Sequence, residues 1–167
     1  MIRMRSLFLF LVLLVCTGCV TEDLPDGKSL VNVGDSLPQF EITMNDGSVM
    51  RTEDLAGRPS LIVLFTTKCP DCRAELPVIQ RIMDNFPELG IVCIAREEDE
   101  SDIDGYWREN NLTLPYSPQS DRRVYNLFAT AVVPRTYVAN SSLVVIASFG
   151  DADIPTYDEL SDIIERL

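Results

Sequence analysis

The feature that most constrains the fold is an apolar run, Ser60–Phe65, followed four residues later by the motif Cys69-Pro70-Asp71-Cys72. A near-continuous apolar run is typical of a strand buried on both faces of a sheet. From residue 70 to about residue 86, apolar side chains recur at helical spacing, which predicts a helix that begins at the motif. A strand covered on both faces and followed by a helix indicates a layered α/β domain.

The rest of the domain extends this pattern. Residues 39–44 and 48–51 flank Asn45-Asp46-Gly47, a signal for a β-hairpin. Thr156 and Glu159 form a capping box and predict a C-terminal helix. We also predict strands at 91–95, 136–139 and 143–149, helices at 102–110 and 121–128, and a proline-containing loop at 115–118. The predicted fold is a central mixed β-sheet flanked by helices, with an N-terminal hairpin and an inserted helix.

Residues 1–31 have a different character. A basic start is followed by an apolar run at 7–15, far shorter than the ~20 residues that span a bilayer, and this order is typical of a secretory signal peptide. The segment Cys16-Thr17-Gly18-Cys19 resembles a bacterial lipoprotein box, in which the final cysteine is lipidated. We therefore predict a signal peptide at 1–18, a lipidated N-terminus and polar tether at 19–31, and one domain at 32–167. The alternative is an ordinary signal peptide without lipid.

Composition excludes several kinds of function. The chain has 14 Lys and Arg against 26 Asp and Glu, a net charge of −12, and an acidic surface repels phosphate backbones, so no nucleic-acid partner is expected. The chain contains no histidine. Ser-His-Asp and Cys-His catalysis, zinc sites with histidine and c-type haem attachment are therefore excluded. Five cysteines remain as the candidates for chemistry.

The CxxC motif can carry redox chemistry. Two thiols in the first helical turn can form a disulfide, because the two residues between them turn both sulfurs to one side. The helix N-terminus offers free N–H groups and the positive end of the helix dipole, which stabilise a thiolate. Pro70 suits the first turn, where its missing N–H has no helical partner. We predict that Cys69 is the exposed attacking thiol and Cys72 the resolving thiol.

Two other uses of the motif remain open from the residues alone. The pair could be half of a zinc site, although this would require carboxylate ligands because few other thiols exist. The pair could also be a permanent structural disulfide, although closing a four-residue loop stabilises a fold little. Cys93, within a predicted strand, is expected in the core. The acidic stretch from Glu97 to Asp104 is expected to be a solvated loop and helix start.

From about Val33 to Leu167, the chain resembles the thioredoxin superfamily and, within it, the membrane-anchored, extracytoplasmic TlpA/ResA-like thiol–disulfide oxidoreductases. The resemblance is carried by residues 33–40, Asp46-Gly47, residues 55–59, the CxxC motif with Glu75 and Pro77, and Val133-Pro134-Arg135-Thr136. It implies a thioredoxin-like fold and a redox-active Cys69–Cys72 disulfide that needs no other cofactor or metal. The implied partners are thiols and disulfides of exported proteins and an unidentified membrane electron donor.

The resemblance also implies roles for single residues. Pro134 would follow a cis peptide bond and lie against the active-site disulfide. Glu75, three residues after Cys72 on the same helix face, would take part in proton transfer to and from the thiols; the alternative is a solvated glutamate. Lys68 stands where the family often has tryptophan, and it adds a positive charge beside Cys69. The expected modulators of the pair are Lys68, Pro70, Asp71 and Val133.

The function implied by the resemblance is reduction of disulfides in exported proteins, by an enzyme held by lipid at the extracytoplasmic side of a bacterial membrane. A second possibility is a peroxiredoxin-like thiol peroxidase. Thr66 precedes Cys69 by three residues, as in the peroxidatic motif, but Ile62 stands where that motif has proline. A third possibility is a non-catalytic lipoprotein that uses the thioredoxin fold for binding.

Overall fold

The computed structural model describes residues 28–167. The predicted signal peptide, Cys19 and the tether as far as residue 27 lie outside the described residues. Residues 28–31, predicted as the end of the tether, contact the domain instead: Ser29 forms a β-bridge with Ala129, and Val31 is buried. The folded unit therefore begins earlier than the predicted boundary at residue 32. Within residues 28–167, no helix has the length and apolar character to cross a membrane.

A mixed five-stranded sheet forms the centre of the domain. The predicted hairpin, β1 (Glu41–Thr43) and β2 (Val49–Arg51), forms a separate antiparallel pair. The central strands are β3 (Ser60–Phe65), β4 (Gly90–Ala95), β5 (Tyr116–Ser117), β6 (Arg135–Ala139) and β7 (Val145–Phe149), in the order β5-β4-β3-β6-β7. β3, β4 and β5 run parallel, whereas β6 and β7 are antiparallel to their neighbours. Every residue of β3 and β4 is buried, as the apolar runs predict.

Three α-helices flank the sheet: α1 (Pro70–Asn85), α2 (Glu100–Glu109) and α3 (Tyr157–Ile164). The capping box predicted for α3 is present. Alternate residues of a strand point to opposite faces of the sheet, so Phe65 meets Trp107 of α2 with ring centroids 5.2 Å apart. Tyr137, paired with Ile62, instead packs against Phe128. The fold predicted from the sequence is confirmed.

Two local predictions were wrong. The helix predicted at 121–128 is only a short 3-10 helix, Tyr125–Leu127, because Tyr125 is buried and its hydroxyl donates to the Val132 carbonyl at 2.6 Å. The proline-containing loop holds β5, whose two residues pair with Cys93 and Ile94 of β4. Pro115 and Pro118 lie at the two ends of this strand and limit its length, because proline has no N–H to donate to a β-ladder.

Candidate active site

The CxxC motif lies where β3 ends and α1 begins. Cys69 is the N-cap residue of α1 and Pro70 is its first residue. Both cysteines are free thiols, with Cys69 partly exposed and Cys72 completely buried. Solvent and a partner protein can therefore reach only the first sulfur. This difference in access agrees with the order of attack predicted for the two thiols.

The segment before β6 faces Cys69. The Val133–Pro134 peptide bond is cis, as the resemblance implies. The Sγ atom of Cys69 lies 3.4 Å from the carbonyl oxygen of Val133. β3 and β6 are antiparallel neighbours, so the end of one strand meets the start of the other, and residues distant in the chain become adjacent. The two segments form the walls of a groove beside the exposed thiol.

Glu75 lies beneath the motif and is 1% exposed, which excludes the alternative of a solvated glutamate. Its Oε1 atom accepts a 2.6 Å hydrogen bond from the hydroxyl of Thr136. Its Oε2 atom has no hydrogen-bond partner among the described residues. Burial raises the pKa of Glu75 from 4.5 to about 7, and the hydrogen bond from Thr136 offsets part of that rise. The carboxyl can therefore gain or lose a proton near neutral pH.

Burial also raises the pKa of the Cys72 thiol well above its usual range. Negative charge on Cys69 or Glu75 raises this pKa further, whereas a hydrogen bond from the Thr66 backbone lowers it. Cys72 and Glu75 thus lie close enough for the charge of one to affect the other. A thiol in this position stays protonated until a neighbouring base removes its proton.

The predicted modulators surround the exposed thiol. The Nζ atom of Lys68 lies 3.2 Å from a carboxylate oxygen of Asp102, and both side chains are more than half exposed. Asp71 is exposed in the first turn of α1. The groove beside Cys69 is lined by Thr66, Lys68, Asp71, Arg96, Val132, Val133 and Asp151. A partner that reaches Cys69 meets charges of both signs.

One functional candidate was missed from the sequence. Glu98, predicted in a solvated stretch, is 2% exposed. It accepts hydrogen bonds from the hydroxyl of Thr66 at 2.9 Å and the amide of Thr67 at 2.7 Å. The signal in the sequence is only indirect: two threonines precede the CxxC motif and supply these donors.

Cys93 is completely buried in β4, as expected for a core residue. Burial raises its pKa, and the charge of Glu75 raises it further. Among residues 28–167, no three His, Cys, Asp or Glu side chains are grouped in a way that could hold a metal ion. Cys93 is therefore a buried core thiol that forms no such cluster with the motif within these residues.

The geometry can be compared with known proteins. The family model of the AhpC/TSA family matches residues 33–148. A thiol-disulfide oxidoreductase ResA from Oceanobacillus iheyensis is 26% identical over 139 residues, which cover 80% of this chain and 72% of the relative. These similarities confirm the resemblance to ResA-like redoxins that the sequence motifs indicate.

Solved structures show the same fold. A thiol:disulfide interchange protein of the thioredoxin family from Chlorobium tepidum has a TM-score of 0.70 at 18% identity, covering 81% of this chain and 97% of that protein. A secreted Mycobacterium tuberculosis disulfide oxidoreductase homologous to E. coli DsbE also has a TM-score of 0.70, at 22% identity, covering 77% and 96%. The fold is thioredoxin-like.

Proposed function

The chain belongs to the AhpC/TSA family, and from that premise we propose that it is an extracytoplasmic thiol–disulfide oxidoreductase that reduces disulfides of exported proteins. The observation that carries the proposal is that the two thiols differ in solvent exposure. Cys69 is partly exposed at a helix N-terminus, and Cys72 is buried one turn deeper. The name of the ResA relative supports the same reaction class. The two cysteines perform this chemistry without another cofactor.

The reaction proceeds by two thiol–disulfide exchanges. The Cys69 thiolate attacks one sulfur of the substrate disulfide, that S–S bond breaks, and the other substrate sulfur leaves and takes up a proton. Cys72 then attacks Sγ of Cys69 and releases the second substrate sulfur. The substrate gains two electrons and two protons, and Cys69 and Cys72 form a disulfide. A membrane electron donor returns two electrons and two protons to the pair.

Glu75 is the proposed base for the second exchange. Cys72 must lose its proton before it attacks, and burial opposes that loss. Glu75 has a pKa of about 7 and lies near enough for its charge to affect Cys72. Because its Oε2 atom has no other hydrogen-bond partner among the described residues, that oxygen is free to accept the proton. The carbonyl of Val133 meanwhile contacts the sulfur of Cys69.

Trapping of mixed disulfides tests the proposal. A Cys72→Ser variant retains the attacking thiol and lacks the resolving one, so it should accumulate mixed disulfides with exported proteins or with a model disulfide peptide. A Cys69→Ser variant should trap none, and Cys93→Ser should turn over like the wild type. Equal trapping by the Cys69 and Cys72 variants would contradict the proposal.

Peroxidase activity is less favoured than disulfide reduction. The hydroxyl of Thr66, which matches the peroxidatic motif, donates to Glu98 rather than to Cys69. We expect the purified protein to consume hydrogen peroxide no faster than a free thiol does. Fast consumption of hydrogen peroxide that depends on Cys69 would show that the substrate is a peroxide rather than a disulfide.

The proposed location follows from residues 1–19. A basic start, a short apolar run and the lipoprotein-like Cys16-Thr17-Gly18-Cys19 support export and lipidation at Cys19. An anchored protein would receive its electrons from a donor at the same membrane.

A further inference from the structure

A second buried carboxylate, Glu98, lies beside the CxxC motif, and the proposed reaction does not use it. Its side chain is 2% exposed, whereas its neighbours Glu97, Asp99 and Glu100 are exposed. Glu97 has a φ of 55°, in the left-handed region, where the chain turns after β4. Burial of a carboxylate costs free energy unless hydrogen bonds satisfy its oxygens.

Both oxygens of Glu98 accept hydrogen bonds from the turn that precedes the motif. Oε2 accepts from the hydroxyl of Thr66 at 2.9 Å and from the backbone amide of Thr67 at 2.7 Å. Oε1 accepts from the hydroxyl of Thr67. All three donors belong to two adjacent residues, so a single carboxylate fixes both the backbone and the side chains of this turn.

The same turn contacts both sulfur-bearing residues. The backbone amide of Cys69 donates to the carbonyl of Thr66 at 3.2 Å, and the Thr66 backbone lies close enough to Cys72 to lower the pKa of its thiol. The carbonyl of Thr67 accepts from the guanidinium of Arg73, in the first turns of α1. A displacement of Thr66 and Thr67 would therefore change the distance and orientation between the two thiols.

We propose that Glu98 is a positioning residue whose carboxylate holds the Thr66–Thr67 turn so that Cys69 and Cys72 stay in the geometry of disulfide formation. The inference rests on the proposed function, because it concerns the same pair of thiols. A rigid turn raises the effective concentration of one thiol at the other. In the exchange with glutathione, the two thiols lose two electrons and two protons and form a disulfide, and one oxidised glutathione becomes two reduced glutathiones. A higher effective concentration of one thiol at the other raises the equilibrium constant of this exchange.

The test measures this equilibrium constant in a glutathione buffer series for Glu98→Gln and for the matched control Glu100→Gln, an exposed residue of the same stretch. Glutamine has one acceptor oxygen, and its amino group faces donors of Thr67. We expect the constant for Glu98→Gln to fall about tenfold, a shift of about 30 mV toward a more oxidising pair. Glu100→Gln should keep the wild-type value.

A second variant keeps the test decisive if Glu98→Gln does not fold. Thr67→Val removes only one of the three donors and preserves the shape of the side chain, so its constant should fall in the same direction by a smaller factor. A folded Glu98→Gln, or in its place Thr67→Val, with the wild-type constant would overturn the inference, even if its melting temperature is lower. A wild-type protein that forms no Cys69–Cys72 disulfide would instead overturn the proposed function.

Discussion

At the scale of single residues, the second exchange of the proposed mechanism requires transfer of a proton between two buried groups, Cys72 and Glu75. Glu75 has a pKa of about 7, so the fraction that is ionised, and able to accept the proton of Cys72, rises as the pH rises through 7. The rate at which Cys72 resolves a mixed disulfide should follow the same curve. In Glu75→Gln this step in the pH profile should disappear, and the rate at pH 8 should fall on the order of 100-fold.

Stopped-flow measurement of mixed-disulfide resolution between pH 5 and 9 gives both profiles. Glu88→Gln, an exposed glutamate near the end of α1, is the control and should follow the wild type. Superimposable profiles for wild type and Glu75→Gln would assign the proton to another acceptor.

The hydrogen bond from Thr136 adjusts the pKa of Glu75. Its hydroxyl donates to Oε1 of Glu75 at 2.6 Å and thereby lowers the pKa of the carboxyl. Thr136→Val retains the shape of the side chain and removes the donor, so the pKa of Glu75 should rise above 7. The midpoint of the resolution profile should then move to higher pH. A midpoint that moves to lower pH would show that the hydroxyl does not stabilise the ionised form.

The buried carboxyl also makes the stability of the protein depend on pH. Glu75 releases its proton near 4.5 when unfolded and near 7 when folded, so between these values the folded state binds more protons. Stability therefore falls as the pH rises from about 4.5 to about 7, by about 3 kcal/mol for this group. Urea unfolding should show that fall for the wild type and a smaller one for Glu75→Gln. Equal pH dependence of the two proteins would contradict the raised pKa.

Local patterns were sufficient to predict Cys69 and Cys72 as a pair, because the CxxC motif lies at the start of one predicted helix. The role of Glu75 came from the family resemblance, since its spacing on the helix fits a solvated glutamate equally well. Thr136 and Glu98 were not predicted as partners of the site. Thr136, in β6, contacts Glu75 of α1, and Glu98 contacts the turn before the motif from the loop after β4. Nothing in the residues beside them indicates which distant groups they contact.

At the scale of elements, we expect the N-terminus of α1 to set the reduction potential of the thiol pair. A strong oxidant requires a stabilised reduced form. Here the exposed Asp71 places negative charge in the first turn, and the cation of Lys68 is paired with Asp102. We therefore expect a reduction potential closer to about −270 mV than to about −120 mV.

Equilibration of the domain with a glutathione buffer series measures that potential. A value above about −160 mV on the same scale would show that Asp71 does not determine the reduction potential of the pair. Asp71→Asn should shift the potential toward the oxidising side, and Asp84→Asn, at the other end of α1, should leave it unchanged.

Elements with a strong internal pattern were predicted closely. β3 and β4 are apolar throughout, and α3 carries both a capping box and an apolar stripe. β5 has only two residues, and its existence depends on the neighbouring β4 rather than on its own sequence. The prediction of a helix at 121–128 was wrong because it, too, rested on local preference alone. The contacts of Tyr125 with groups outside this segment outweigh that preference.

At the scale of the whole molecule, the proposed anchor makes a separate prediction. Cys19→Ala should abolish incorporation of labelled fatty acid and leave an unprocessed precursor in cells. Cys16→Ala is the control, because it changes the neighbouring cysteine and leaves the lipidation position intact. Equal labelling of the wild type and Cys19→Ala would exclude lipidation at Cys19.

The contact of residues 28–31 with the domain would limit how far the exposed thiol can lie from a membrane to which Cys19 is attached, as proposed. The amide of Thr130 donates to the carbonyl of Lys28 at 3.1 Å, two residues before Val132, which lines the groove beside Cys69. The nine residues from Val20 to Lys28 span at most about 30 Å when fully extended. With Cys19 lipidated as proposed, the exposed thiol would stay within a layer at most about 30 Å deeper than the domain itself, so the enzyme would sample disulfides close to the bilayer and miss those of proteins that diffuse farther away.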